Sequence, residues 1–364
     1  MSSTTGQPMT AIAKFLDYPE LTPFITDMRL QVGSIPWINV NRRWMPHPNI
    51  HEPVSQVDLE VFVQETQAVN DEQDLNIAGR ELDFAFSADL ANIVHRFRGH
   101  ESRNYQGMAI DIRVLRANVQ SIADLGFKAN LPDALIGNKT GLIIIGGPTG
   151  SGKSTTLAAL VNEFGQRNPG SHIVSLEDPV EYIFNPPHCL VSQKHVPVHV
   201  ESFERGIFEA KREKPDIIVI GELRTKEAIR GAVEAAGSGH LVLATTFADR
   251  VPRVLDAIRD AFSPEEQASV QNRLAYLLRG VICQALVPCN KLDASGYALP
   301  SLVYEVLCND ETWVTSALRK GVWGGIDIRS MDVRGASVSW ETRIAELEVK
   351  GYITSSMADF LRRK

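Results

Sequence analysis

Cysteine is scarce in this chain. Only Cys189, Cys283, Cys289 and Cys308 occur among 364 residues, and no two form a C-x-x-C pair. A structural zinc site is therefore not expected, and the scattered thiols read as core residues of a reduced compartment. No apolar run approaches the roughly 20 residues that a membrane-spanning helix needs. Met1–Thr10 is polar and lacks the basic-then-apolar order of a secretory leader. The expected localisation is cytoplasmic, with any membrane reached through a partner. There is no basic excess either: 37 Lys and Arg against 44 Asp and Glu give a net charge of −7. That balance argues against direct nucleic-acid binding. Tandem repeats and low-complexity segments are also missing.

What remains is an ordinary globular composition, 44% apolar and 22% charged, with enough apolar residues to bury real cores. At about 100–200 residues per domain the length suggests two domains. Residues 1–20 read as a mobile tail. Thr26–Val32 and Trp37–Val40 alternate like short strands around the turn Gly33-Ser34. Ser55-x-x-Asp58 followed by Leu59, Val61 and Phe62 reads as a capped helix. Glu81–Ala88, Val94–Arg98 and Met108–Arg113 alternate again. These elements make a small N-terminal α/β domain over residues 1–115, followed by a linker over 116–124.

The pattern changes in residues 125–364. Leu142–Ile145, Ile173–Leu176, Ile217–Ile220 and Leu241–Ala244 are short, continuously apolar runs separated by helix-like segments. That is the signature of a parallel sheet with crossover helices. From about Pro252 the sequence reads as mostly helical.

Gly147-Pro148-Thr149-Gly150-Ser151-Gly152-Lys153-Ser154 fits G-x-x-x-x-G-K-S, between the strand Leu142–Ile145 and a helix-like run that opens with Thr155. The glycines let backbone N–H groups wrap phosphates, and the helix N-terminus adds its positive end. The motif predicts ATP as ligand, Lys153 on the β and γ phosphates, and Ser154 on Mg²⁺. The next strands end in polar residues: Glu177 and Asp178, then Gly221-Glu222, then Thr245 and Thr246. Ligands of open parallel sheets sit at the carboxyl ends of strands. Glu222 is the better candidate for polarising water. Glu177, Asp178 and Glu181 form a tighter acidic group, from which Glu177 is expected to hold Mg²⁺ through water. His240, just before a strand, reads either as a structural residue or as part of the catalytic group with Glu222, Glu177 and Glu181.

Together these residues resemble the secretion and pilus ATPase superfamily, which includes general-secretion ATPases, pilus extension and retraction motors and conjugation ATPases. Four boxes appear in order: Walker A at Gly147–Ser154, an Asp box at Leu176–Tyr182, Walker B at Pro215–Arg224, and a His box at Ala235–Val242. Ile25–Leu30 with Gly33, Glu81–Phe84 and Arg96–Arg98 resemble the family's PAS-like N-terminal domain. Leu278–Leu286 resembles a C-terminal helix shared by the motors. The resemblance implies a PAS-like α/β domain followed by a RecA-like P-loop ATPase domain. It also implies homohexamers and peripheral recruitment to the cytoplasmic face of an inner-membrane secretion or pilus complex.

Two departures separate the chain from the retraction motors. The His box continues Thr245-Thr246-Phe247-Ala248, where the family often has a second histidine, and Gly237 stands where retraction motors usually carry Glu. Phe247 is expected to pack against the interdomain surface. The chain length and Gln284–Pro288 look more like the DotB/TraJ type IVB secretion and conjugation ATPases, with a pilus retraction or extension motor as the alternative. The resemblance further suggests that arginines of the N-terminal domain reach the nucleotide, some across a subunit boundary. Among Arg96, Arg98, Arg103 and Arg113, the preferred pair is Arg98 and Arg113. A P-loop small-molecule kinase would lack a use for the N-terminal domain, and a regulator without turnover would not need Lys153, Ser154 and Glu222.

Overall fold

A computed structural model describes residues 11–16, 25–40, 43–70, 82–90, 93–115, 119–290, 300–309, 312–321 and 336–363. The tail residues 1–10 and 17–20, Glu81, and linker residues 116–118 lie outside the described residues. The chain divides into two compact units: Met1–Asn118 with Pro179–Tyr182, and Val119–Asp178 with Ile183–Lys364. Among the described residues no helix is long and apolar enough to cross a membrane.

The N-terminal unit contains α1 (Ala11–Leu16), β1 (Ile25–Gln31), β2 (Trp37–Val40), β3 (Arg43–Pro46), α2 (Gln56–Asn70), β4 (Leu82–Leu90), β5 (Ile93–Asn104) and β6 (Gly107–Leu115). The strands form an antiparallel sheet in the order β3-β2-β1-β6-β5-β4. Alternation along β1 sends Met28 and Leu30 into the core, and a register shift between Ile25 and Asp27 lets Ile25 join them. α2 starts where Ser55 and Asp58 exchange bonds: the Asp58 N–H donates to Ser55 Oγ at 3.1 Å, and the Ser55 N–H donates to Asp58 Oδ2 at 3.0 Å. Leu59 and Phe62, three apart on one helix face, are buried, whereas Val61 is turned out. Phe62 meets Phe86 edge-on at 5.7 Å, and Phe86 stacks on Phe97 at 5.0 Å. Part of the expected tail belongs to this core: residues 11–16 are helical and bury Phe15 and Leu16.

In the second unit, α3 (Leu131–Ile136) precedes β7 (Gly141–Gly146), α4 (Lys153–Arg167), β8 (His172–Glu177), β9 (Leu190–His195), α5 (Phe203–Ala210), β10 (Ile217–Ile220), α6 (Lys226–Gly237) and β11 (Leu241–Thr246). There follow α7 (Val251–Asp260), α8 (Pro264–Leu277), β12 (Leu278–Val287), β13 (Ser301–Cys308), α9 (Thr312–Lys320), α10 (Trp340–Val349) and α11 (Ser355–Arg362). The sheet order is β13-β12-β7-β11-β10-β8-β9. All neighbours run parallel except β12 and β13. The four apolar runs are β7, β8, β10 and β11, and helices cover them as the pattern demands.

The C-terminal third corrects the sequence reading. Leu278–Leu286, expected as a helix, is β12, and β13 follows it. Val281, Ile282 and Cys283 sit between β7 and β13 and are fully buried. A strand covered on both faces shows no alternation, so periodicity cannot tell it from a buried helix.

Candidate functional site

The loop after β7 carries the first group of site residues. Gly147, Gly150 and Gly152 have φ of 150°, 72° and 87°, values that side chains rarely adopt. A methyl group on Gly147 would also run into the Gln284 carbonyl oxygen. Ser151 N–H donates to Pro148 O at 3.2 Å, which closes the loop. Gly152 then caps α4, whose first residues are Lys153, Ser154 and Thr155. The first turn of a helix presents backbone N–H groups that have no partner within the helix. These groups and the bare glycines form a cradle that fits a polyphosphate. Lys153 Nζ donates to Gly147 O at 2.8 Å and to Pro148 O at 3.2 Å.

Behind the loop stands a residue that motif reading passed over as chemistry. Gln284 on β12 is only 1% exposed. Its Nε2 donates to Ser151 O at 2.7 Å, and its Oε1 accepts from Thr156 Oγ1 at 2.9 Å. The available signal was one amide in the middle of an apolar run.

Strand register brings the other carboxyl ends alongside. Gly147 N–H donates to Thr246 O at 3.2 Å, and Thr245 Oγ1 donates to Gly221 O. Leu223 N–H returns to Thr245 O at 2.8 Å, and Gly221 N–H reaches Leu176 O at 2.7 Å. The P-loop, Thr245 and Thr246, Glu222 and Glu177 thus share one edge of the sheet. Glu222 is held on one side only. Its Oε2 accepts from Arg224 Nε at 2.8 Å, while its Oε1 is buried with no hydrogen-bond partner. Arg224 also faces Asp178 Oδ2 at 3.5 Å. A buried carboxylate oxygen without a partner fits a place for water beside a phosphate.

Other expected site residues are placed differently. Glu177 is buried, and its Oε1 already accepts from Ser175 Oγ at 2.7 Å and Gln193 Nε2 at 3.0 Å. Glu181 belongs to the segment Pro179–Tyr182 that groups with the N-terminal unit, where Arg98 Nη1 faces it at 3.6 Å. Arg96 donates to Ser87 Oγ at 3.1 Å and to Val180 O at 3.2 Å within the same unit. Arg113 Nε pairs with Asp27 at 3.0 Å, and Arg103 lies 3.8 Å from Glu101.

His240 stands away from the P-loop of its own chain. It precedes β11, and its carbonyl accepts from Gly141 N–H at 3.0 Å, at the amino edge of the sheet. Six residues at about 3.3 Å each separate it from Thr246, on the order of 20 Å. Its Nδ1 lies 3.1 Å from Ala235 O and 3.4 Å from Ser238 Oγ, at the end of α6. Such a histidine satisfies last-turn carbonyls. The Phe247 ring has a partner at the loop: its centroid lies 4.8 Å from Lys153 Nζ.

Comparison with known proteins agrees with this geometry. The profile of the Type II/IV secretion system protein family matches residues 86–332. The chain is 33% identical to the type IV pilus ATPase PilU of Pseudomonas aeruginosa over 299 residues, covering 81% of this chain and 74% of that protein. The crystal structure of the pilus retraction motor PilT with bound ADP superposes with a TM-score of 0.80 at 25% identity, covering 98% of this chain and 97% of that one. The Legionella pneumophila ATPase DotB shares the fold with a TM-score of 0.77 at 21% identity, over 100% of this chain and 98% of that one. A P-loop backed by its own sheet, an acid at a strand end on the same edge of that sheet and a family match over most of the chain lead to one conclusion: this chain belongs to the Type II/IV secretion system protein family and is an ATP-hydrolysing secretion or pilus motor.

Proposed function

We propose that the chain works as one subunit of a homohexameric ring and uses ATP to drive a type IVB secretion or conjugation machine of the DotB/TraJ kind. It acts at the cytoplasmic face of the inner membrane, through protein partners and without direct nucleic-acid contact. The observation that carries the ATPase chemistry is the lone buried Oε1 of Glu222 at the end of β10, with β11 between it and the strand that leads into Gly147. In this reading Gly147–Ser154 and Thr155 hold the phosphates through backbone N–H groups. Lys153 leaves the loop carbonyls to reach the β and γ phosphates. Glu222 orients the attacking water and takes its proton, with Arg224 fixing the carboxylate. Ser154 is the direct ligand for Mg²⁺ and Glu177 an outer one through water; when bound, the ion neutralises charge on the transferring phosphoryl group.

Arg98 and Arg113 are the arginines proposed to reach a neighbouring subunit's nucleotide, with Glu181 holding Arg98 until then. An arginine supplied this way raises phosphoryl-transfer rates by about 10³–10⁵. Subunit mixing tests it. A chain carrying Arg98→Ala and Arg113→Ala is combined with a Lys153→Ala chain, each inactive alone. Partial return of ATPase activity supports action across the ring, and full activity of the arginine variant alone removes the idea.

The choice of machine rests on the chain length and Gln284–Pro288, with Gly237 and Phe247 departing from the retraction-motor pattern. The 33% identity to PilU favours a second reading, a pilus motor. Restored twitching in a retraction-deficient strain would decide for the pilus; restored plasmid transfer in a strain lacking its conjugation ATPase would decide for type IVB.

A further inference from the structure

We propose that Phe247 is a positioning residue: its ring holds the Lys153 ammonium before nucleotide arrives, and so sets how tightly the loop binds nucleotide and how fast it releases ADP. This rests on the P-loop reading of Gly147–Ser154.

Gly147 O lies 2.8 Å from the ammonium, Pro148 O 3.2 Å, and the centroid of the Phe247 ring 4.8 Å. The ring is not there because burial puts it there, since Phe247 is 53% exposed. Its backbone is fixed against the loop on both sides. Thr246 O accepts Gly147 N–H at 3.2 Å, and a methyl group on Gly146 would run into Ala248 O. The main chain that bears the ring is therefore set beside the loop, and the ammonium lies within cation–π range of the ring.

A phosphate must take the ammonium from these partners. Any contact made only in the unliganded arrangement weakens binding by its own free energy, because a ligand shifts an equilibrium only by its differential affinity. A surface cation–π contact corresponds to about a two- to fivefold change in dissociation constant. The same contact helps the ammonium leave ADP after hydrolysis, and product release limits many such enzymes. The two loop carbonyls come from the loop's own backbone, whereas the ring is a side chain that a substitution can change.

The test uses the full chain, a fluorescent ADP and a fluorescent non-hydrolysable ATP analogue. Equilibrium affinity and stopped-flow release are measured for wild type, Phe247→Leu and Phe247→Tyr, with Lys153→Ala as control. Leu keeps apolar bulk and loses the ring quadrupole; Tyr keeps the ring. The expected result is nucleotide binding about two- to fivefold tighter and ADP release slower in Phe247→Leu, with Phe247→Tyr like wild type. Unchanged or weaker binding in Phe247→Leu overturns the proposal, as does equal behaviour of the Leu and Tyr variants. Normal binding by Lys153→Ala would instead fail the P-loop reading, whatever the Phe247 variants do.

Discussion

Arg224 donates its Nε to Oε2 of Glu222 at 2.8 Å, and the second oxygen of that carboxylate stays buried without a partner. The pairing fixes the carboxylate plane and leaves one oxygen for water. Glu222→Gln keeps the shape and removes the proton acceptor. Turnover should fall by about 10²–10⁴, the usual span for a general base, with ATP affinity nearly unchanged. Affinity and turnover are measured separately, and parallel losses in both would assign Glu222 to structure. Arg224→Gln should show a smaller loss of turnover, again with affinity kept.

Gln284→Leu tests the rear wall of the P-loop. The substitution leaves the Ser151 carbonyl and the Thr156 hydroxyl without their buried partner, at about 1–3 kcal/mol each. Nucleotide affinity should drop by on the order of tenfold and the melting temperature should fall. Gln284→Glu still accepts from Thr156 but cannot donate to Ser151, so it should be impaired as well. Wild-type affinity in both variants would mean that the loop holds its shape alone.

His240→Ala should behave as loss of a helix cap. About 0.5–1.5 kcal/mol of stability is expected to go, seen as a small drop in melting temperature, while turnover of the folded protein stays near wild type. Lost turnover at unchanged melting temperature would return His240 to the chemistry.

Asp58 makes the stability of the N-terminal unit depend on acid. Burial pushes its carboxyl up, but hydrogen bonds from Lys14 and Ser55 and the Lys14 charge outweigh that and hold it at about 2, below the ordinary 3.8. The folded form therefore takes up this proton later than the unfolded chain. The contribution is fully present above about pH 4 and is lost as pH falls towards 2. Melting curves of wild type and Asp58→Asn should converge across that window. A constant gap between them would show that another group sets the acid limit.

Much of this was legible before any coordinates. The P-loop spacing fixed Gly147 to Ser154, and the apolar runs marked β7, β8, β10 and β11, because parallel strands buried on both faces are short and uninterrupted. The capping pair Ser55 and Asp58 announced α2. β12 was misread because it has the same continuous apolar character as a buried helix and lies outside the β–α alternation. Gln284 went unread as chemistry for a related reason: its partners Ser151 and Thr156 are far off in sequence, and only sheet order brings them together. For His240 the sequence leaves a structural and a catalytic reading open. Position along a strand decides which edge of the sheet a residue occupies, and His240 stands at the amino end of β11. Phe247 is expected at the interdomain surface because an aromatic ring cannot bond a phosphate; no sequence pattern announces its contact with the Lys153 ammonium.

The strand that backs the P-loop also bears on how the protein is made. Gln284 follows Ser151 by 133 residues. At about 5–20 residues per second, a ribosome needs roughly 7–27 s to add that stretch. For that time the nascent loop has its glycines and its lysine but no β12 amide behind it. A chain stalled between α8 and β12 carries every motif residue of the nucleotide site and still lacks the wall that shapes it. The loop therefore gains its rear wall late in synthesis, when the sheet is completed on its C-terminal side.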